Sequence, residues 1–354
     1  MRQVGVFVAW FVAIGCGRGR FDILPQGDDD QGGAGDGGRL GDGGGPSDAL
    51  FADGNNLPAT SCVGLAATCG IFGNLPCCTS PLVPGGMFYR GYDVGTDAFY
   101  NDMTKPSTVS AFRLDTYEVT VGRFRKFVLA GMGTVQNPPP ANAGGRMLNG
   151  LASQGGWDPS WNGHLPADTA GLIAELNCDA TRQSWTNAPG ANESKPINCI
   201  NWYVAMAFCV WDNGFLPTEA QWMFAAGGGS EQRAYAWSNP PSSLAIDCTY
   251  ANYNYCVGSP NGSVNRVGSE SPKGDGKWGQ ADLEGNLWEW ALDWAAFYTN
   301  PCDDCANLTP ALGRAKRGGY FRDVAGYVRV QEDSESYAPD IFTLEGGVRC
   351  ARAP

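Results

Sequence analysis

Side-chain chemistry draws on few residue types, and this chain holds them in unusual numbers. Histidine occurs once, at His164, and cysteine thirteen times. A lone imidazole excludes a multi-histidine metal centre and leaves His164 as the one histidine able to activate a serine or cysteine nucleophile. It sits in a loop-like stretch and reads as an exposed loop residue. Cys302-Asp303-Asp304-Cys305 has the spacing of a dithiol redox pair. Two neighbouring carboxylates disfavour the thiolate, so a local structural disulfide is expected instead. Glu289 stands between Trp288 and Trp290. A carboxylate in such company is costly to bury alone and requires a cation, either an arginine or a metal. The basic residues Arg314, Lys316, Arg317, Arg322, Arg329, Arg349 and Arg352 have two readings. They line a pocket for an anion, or they pair with buried acids such as Asp293 and Glu289, and the second reading is the plainer one.

The surrounding chain limits what these groups serve. With 24 basic and 36 acidic residues the formal charge is −12, the wrong sign for a nucleic-acid partner. Fifty glycines, twelve tryptophans and 17% charged residues describe a turn-rich globule rather than a helical bundle. The apolar run Val4–Ile14 follows Arg2 and is too short to cross a bilayer of about 30 Å. It reads as a secretory signal. Its end, Ala13-Ile14-Gly15-Cys16, resembles a bacterial lipobox, which makes 1–16 a lipoprotein signal peptide and Cys16 the lipidated residue. The expectation is an exported protein on the outer or inner membrane, facing periplasm or exterior. Residues 17–60 form a Gly/Asp-rich tether: Gln26–Asn56 alone hold eleven Gly and seven Asp against Arg39, too little apolar surface to offset ordering.

Twelve cysteines remain, an even number that allows up to six disulfides in an oxidising compartment. Residues 61–84 hold four of them and read as a small stapled module, with Cys77 and Cys78 pairing outward to Cys62 and Cys69. Cys248 with Cys256 and Cys178 with Cys199 are plausible short-range pairs. Residues 85–354 form one domain. Thr120 caps a helix bearing Phe124, Phe127 and Val128 on one face, with Gly131 ending it. Asn201 caps another, with Trp202, Ala205, Met206 and Cys209 as its stripe. Thr218 opens a third, and Gln221 supplies the capping-box partner. Thr134–Lys195 reads as a long ordered-loop insertion, and strands elsewhere are short.

Four segments in order, FRLDTYEVTVGRFRKFV (112–128), PINCINWYVAMAFCVWDNGFLPTEAQWMFAAGG (196–228), DLEGNLWEWALDW (282–294) and RAKRGGYF with GGVRCAR (314–321, 346–352), resemble the sulfatase-modifying-factor family, that of the formylglycine-generating enzymes. The resemblance implies an α+β domain of complex C-type-lectin-like topology with little regular secondary structure. It also implies a disulfide between Cys209 and Cys350. It places calcium on the side chain of Glu289 with the main-chain carbonyls of Glu284, Gly285 and Leu287. A second calcium falls on Asn252, Tyr253, Asn261 and Ser263, where Asn261 replaces an acidic ligand. Hard oxygen donors suit that ion.

The family's oxidation of a substrate cysteine to formylglycine uses two cysteines that bind copper(I), a soft ion selected by thiolates. Here the matching segment is RGGYFRDVAGYVRV, and those positions fall on Asp323 and Val328. Copper is therefore not expected, and the chain reads as a pseudoenzyme, a calcium-stabilised binding or structural module for an unknown peptide, glycan or protein. Arg322 and Asp323 are the candidate binding groove. The alternative keeps the family's reaction on sulfatase cysteines through some other centre.

Overall fold

The computed structural model describes residues 59–95, 98–332 and 335–354. The signal segment, Cys16 and residues 17–58 of the tether lie outside the described residues.

Among the described residues four α-helices each begin at a side-chain cap. Thr120 accepts from Arg123 N to open α1 (Val121–Leu129), and Asp168 accepts from Gly171 N to open α2 (Thr169–Leu176). Asn201 accepts from Val204 N at α3 (Trp202–Trp211). Thr218 and Gln221 form a reciprocal capping box at α4 (Glu219–Ala226). Gly131 follows α1 with φ +70°, the left-handed turn that ends it. Three of these starts were legible. The fourth was not, because α2 lies within the supposed loop insertion. That insertion also carries a hairpin, and it buries Trp157, Leu172, Leu176 and Trp185 in the main core. The stripe expected on α3 is wider than an amphipathic face: Trp202 through Cys209 are all buried.

The strands are β1 (Leu82–Val83), β2 (Gly86–Tyr89), β3 (Pro106–Val109), β4 (Phe112–Leu114), β5 (Arg146–Leu148), β6 (Leu151–Gln154), β7 (Trp288–Trp294), β8 (Cys302–Asp303), β9 (Arg314–Arg317), β10 (Glu335–Tyr337), β11 (Gly346–Gly347) and β12 (Ala351–Arg352). Among the described residues they form four small sheets, ordered β1-β4-β12, β10-β9-β7-β11, β2-β3-β8 and β5-β6. This is a mixed helix and sheet fold with little regular structure.

The longest strand, β7, positions the acids noted above. Trp290 and Leu292 join the apolar cluster around α1 and α3, where Phe124, Phe127 and Phe208 meet at 5.3–5.5 Å between ring centres. Glu289 and Asp293, on the alternate face, meet α4. Trp222 Nε1 donates to Glu289 Oε2 at 2.8 Å, and Glu219 N donates to Asp293 Oδ2 at 2.8 Å.

All twelve cysteines of the described residues are paired: 62–78, 69–77, 178–199, 209–350, 248–256 and 302–305. Six bridges point to folding in an oxidising compartment outside the cytoplasm. Among the described residues no helix is long and apolar enough to cross a membrane. The stapled segment 61–84 packs onto the larger body through charge. Arg123 binds Asp115 at 2.9 Å and Asp212 at 2.6 Å, and Arg352 closes the ring to both acids. Ser61 enters it, donating from N to Asp212 Oδ1 and accepting from Arg123 Nε at 3.0 Å.

Candidate functional site

The stretch after β9 departs from the family pattern, and its backbone explains why it begins Arg-Gly-Gly. Gly318 and Gly319 have φ of +99° and +74°. A Cβ at Gly318 would lie 2.5 Å from Leu283 O, and one at Gly319 would lie 2.5 Å from Val328 Cγ1. Only glycine satisfies both demands. The chain then closes a tight turn: Asp323 N donates to Tyr320 O at 2.9 Å, and Tyr320 N donates to Asp323 Oδ2 at 3.0 Å. Asp323 thus turns its carboxylate into its own loop. Burial, then the charge of Asp323, push the Tyr320 hydroxyl up to about 12. Arg322 Nε donates to Tyr255 Oη at 3.2 Å, its guanidinium 5.3 Å from the centre of that ring. Val328 points inward and is fully buried with Ala234, Tyr235, Trp237 and Ala251. The two positions to which the resemblance assigns the copper cysteines are a carboxylate folded on its own turn and a core aliphatic side chain.

The concavity beside this turn is lined by Phe99, Tyr100, Tyr235, Leu244, Gly326, Tyr327, Arg329 and Glu332, about 400 Å³ in volume. Arg322 and Asp323 are not among its lining residues, although the sequence singled them out. Tyr327 lies four residues beyond Asp323 in the stretch RGGYFRDVAGYVRV, the one signal that could have found it. A second cavity of about 580 Å³ is lined by Lys105, Glu219, Ala295, Ala296, Phe297, Tyr298 and Arg317. Arg317 Nε binds Glu219 Oε1 at 3.0 Å, and its Nη2 donates to Tyr298 Oη at 2.7 Å. Arg317 Nη1 also donates to the carbonyl of Glu332, a residue that lines the first cavity.

The basic residues of the C-terminal part are largely paired with acids. Arg349 binds Glu289, Arg317 binds Glu219, Arg329 binds Asp93, and Arg352 binds Asp115 and Asp212. Asp293 differs from the expectation: it accepts from the main-chain N–H groups of Glu219 and Asn307 rather than from an arginine. Burial, then the like charge of Glu219, push it up to about 6. His164 is exposed and stacks on Tyr203 at 4.5 Å.

The expected calcium ligands divide. Glu289 has its cation in Arg349, whose Nε and Nη2 reach its carboxylate at 2.8–3.1 Å. With Trp222 on Oε2 as well, the carboxylate is neutralised. It adds little to the carbonyls of Glu284, Gly285 and Leu287 as a calcium donor, so that set is a poor fit. In the second set Asn252 Oδ1 is buried without a partner, while Asn252 Nδ2 donates to Ser263 O at 2.9 Å. Asn261 is exposed, and Tyr253 O accepts from Cys256 N. No three His, Cys, Asp or Glu side chains gather to hold a metal among the described residues.

Short strands around a glycine-hinged turn, buried ion pairs and a disulfide from α3 to the C-terminus make up the scaffold of this site. Residues 74–354 match the family described as the sulfatase-modifying factor enzyme 1-like domain, and the chain belongs to it. The chain is 26% identical over 302 residues to the formylglycine-generating enzyme of Thermomonospora curvata, covering 77% of this chain and 92% of that one. It is 28% identical over 222 residues to the inactive C-alpha-formylglycine-generating enzyme 2 of Bos taurus, covering 59% and 68%. In three dimensions it resembles PvdO from Pseudomonas aeruginosa, with a TM-score of 0.52, 18% identity, and 77% and 93% of the two chains covered.

Proposed function

We propose that this chain is a non-oxidising member of its family, an exported binding module tethered to a membrane through lipidated Cys16. One observation carries the reading: the turn after Gly319 offers Asp323 and Val328 where the family's copper(I) chemistry needs two thiolates, and all twelve cysteines of the described residues are already in disulfides. A carboxylate and an isopropyl group neither grip a soft monovalent ion nor exchange disulfides with a substrate. A relative of similar identity named as inactive supports the same reading. The ligand is a peptide, glycan or protein met outside the cytoplasm. We assign the calcium expectation to the Asn252 loop, whose buried Oδ1 offers a hard oxygen without a partner.

The test is direct. The purified protein is incubated with copper(I), oxygen and a sulfatase-derived cysteine peptide, and formylglycine is read by mass spectrometry. The expected result is unchanged peptide. Conversion above a no-protein control overturns the proposal and restores the oxidoreductase reading.

A further inference from the structure

We propose that the 400 Å³ cavity beside the altered turn binds a neutral saccharide of one or two pyranose rings, stacked on Phe99 and Tyr327. The inference rests on the binding-module reading and names the ligand class it leaves open.

Four features of the cavity lead there. First, its rim presents aromatic faces to water: Phe99 is 82% exposed and Tyr327 53%, with Leu244 beside them. Single exposed apolar residues are ordinary, but several converging on one concavity mark a binding surface. Second, its charged groups are each fixed by a neighbour. Arg329 binds Asp93 at 2.6 Å and lies 4.6 Å from the centre of the Tyr100 ring, and the Tyr100 hydroxyl donates to the Glu332 carboxylate. The Arg329–Asp93 pair gives a free anion little electrostatic reason to bind and the Glu332 carboxylate repels one, while both present fixed hydrogen-bonding edges, a planar guanidinium and a carboxylate. Those edges suit adjacent hydroxyl groups, which donate and accept.

Third, no lining residue belongs to a strand. An extended peptide gains much of its affinity from main-chain bonds to a sheet edge, and this cavity has none to offer. Its volume also falls in the range of small-molecule sites rather than of a long groove. Fourth, the turn that carries Tyr327 is braced. Tyr235 Oη donates to Ala325 O at 3.0 Å, Tyr235 stacks on Trp237 at 5.0 Å and 3°, and Trp237 stacks on Tyr250 at 5.4 Å. Buried Val328 anchors the end of the same turn. A ring on a rigid mount loses little entropy when a flat apolar sugar face settles on it.

The experiment titrates the purified protein by calorimetry with short neutral glucans, galactans, mannans and N-acetylglucosamine oligomers. The cysteine peptide of the conversion assay is a separate arm. At least one saccharide binds. Tyr327→Ala and Phe99→Ala each weaken it about tenfold, Tyr327→Trp retains it, and the unfolding midpoints stay at the wild-type value because both side chains are exposed. The inference is overturned if no saccharide in the panel binds, or if binding ignores both alanine variants. It is also overturned if the peptide alone binds in a Tyr327-dependent manner. The conversion assay on the same preparation separates the two failures: formylglycine formation sinks the binding-module reading itself, while unchanged peptide without sugar binding sinks only the ligand class.

Discussion

Replacing Arg349 with methionine tests the centre of the fold. Arg349 is fully buried and serves five groups: the Glu289 carboxylate and the carbonyls of Asp115, Thr116, Ala281 and Asp282, at 2.6–3.2 Å. Removing one partner of a buried ion pair costs about 3–5 kcal/mol. Each buried acceptor left without a donor adds about 1–3 kcal/mol, less than additively, because the cavity relaxes as a unit. Arg349 also holds down the carboxyls of Glu118, Asp282 and Glu284, which burial already raises well above their usual range. The expected loss is therefore about 5 kcal/mol or more, against total domain stabilities of about 5–15 kcal/mol. Glu289→Gln also breaks the pair, but it keeps an acceptor for Trp222 and leaves Arg349 its four carbonyls, so its cost stays at about 3 kcal/mol, the low end of the range for a broken buried pair. Urea unfolding followed by tryptophan fluorescence, with disulfides intact, measures both variants with and without a calcium chelator. The reasoning is refuted if Arg349→Met unfolds at the wild-type midpoint, if it costs less than Glu289→Gln, or if chelation abolishes the gap between Arg349→Met and wild type.

Two further predictions concern pH and cross-links. Asp293 is raised from 3.8 to about 6, so its contribution to stability is complete below its unfolded value and is lost as pH climbs to about 6, about 3 kcal/mol over that window. Asp293→Asn should flatten the fall in urea midpoint between pH 4 and 6 relative to wild type, and parallel profiles would contradict the assignment. The Cys209–Cys350 bridge spans 141 residues and Cys302–Cys305 spans 3. Loop-closure entropy gives about 5 kcal/mol for the first and about 2 for the second. The paired alanine variants, compared by thermal unfolding, should rank in that order, and the reverse order would refute it.

The second bridge also shows why a redox-like spacing need not mean redox chemistry. Cys302 and Cys305 are each 3% exposed. Asp304 between them is occupied as an acceptor for Ser110 N and Oγ. The loop is a staple that joins β8 to its neighbours rather than a dithiol facing a substrate.

Local chemistry was enough to read much of this protein from its residues. Caps at Thr120, Asn201 and Thr218 announce helices because a side-chain oxygen satisfies the first free amides within three residues. Pairings such as 248–256 follow from short loops, and it is the family resemblance that sets Asp323 and Val328 where two cysteines would stand. Long-range partners were not legible. Glu289 demands a cation, but that Arg349, sixty residues on, supplies it depends on β11 lying parallel to β7. The aromatic cavity escaped notice for the same reason. Phe99, Tyr235 and Tyr327 come from three distant loops with no shared period or spacing, and only the packing of those loops makes one surface of them.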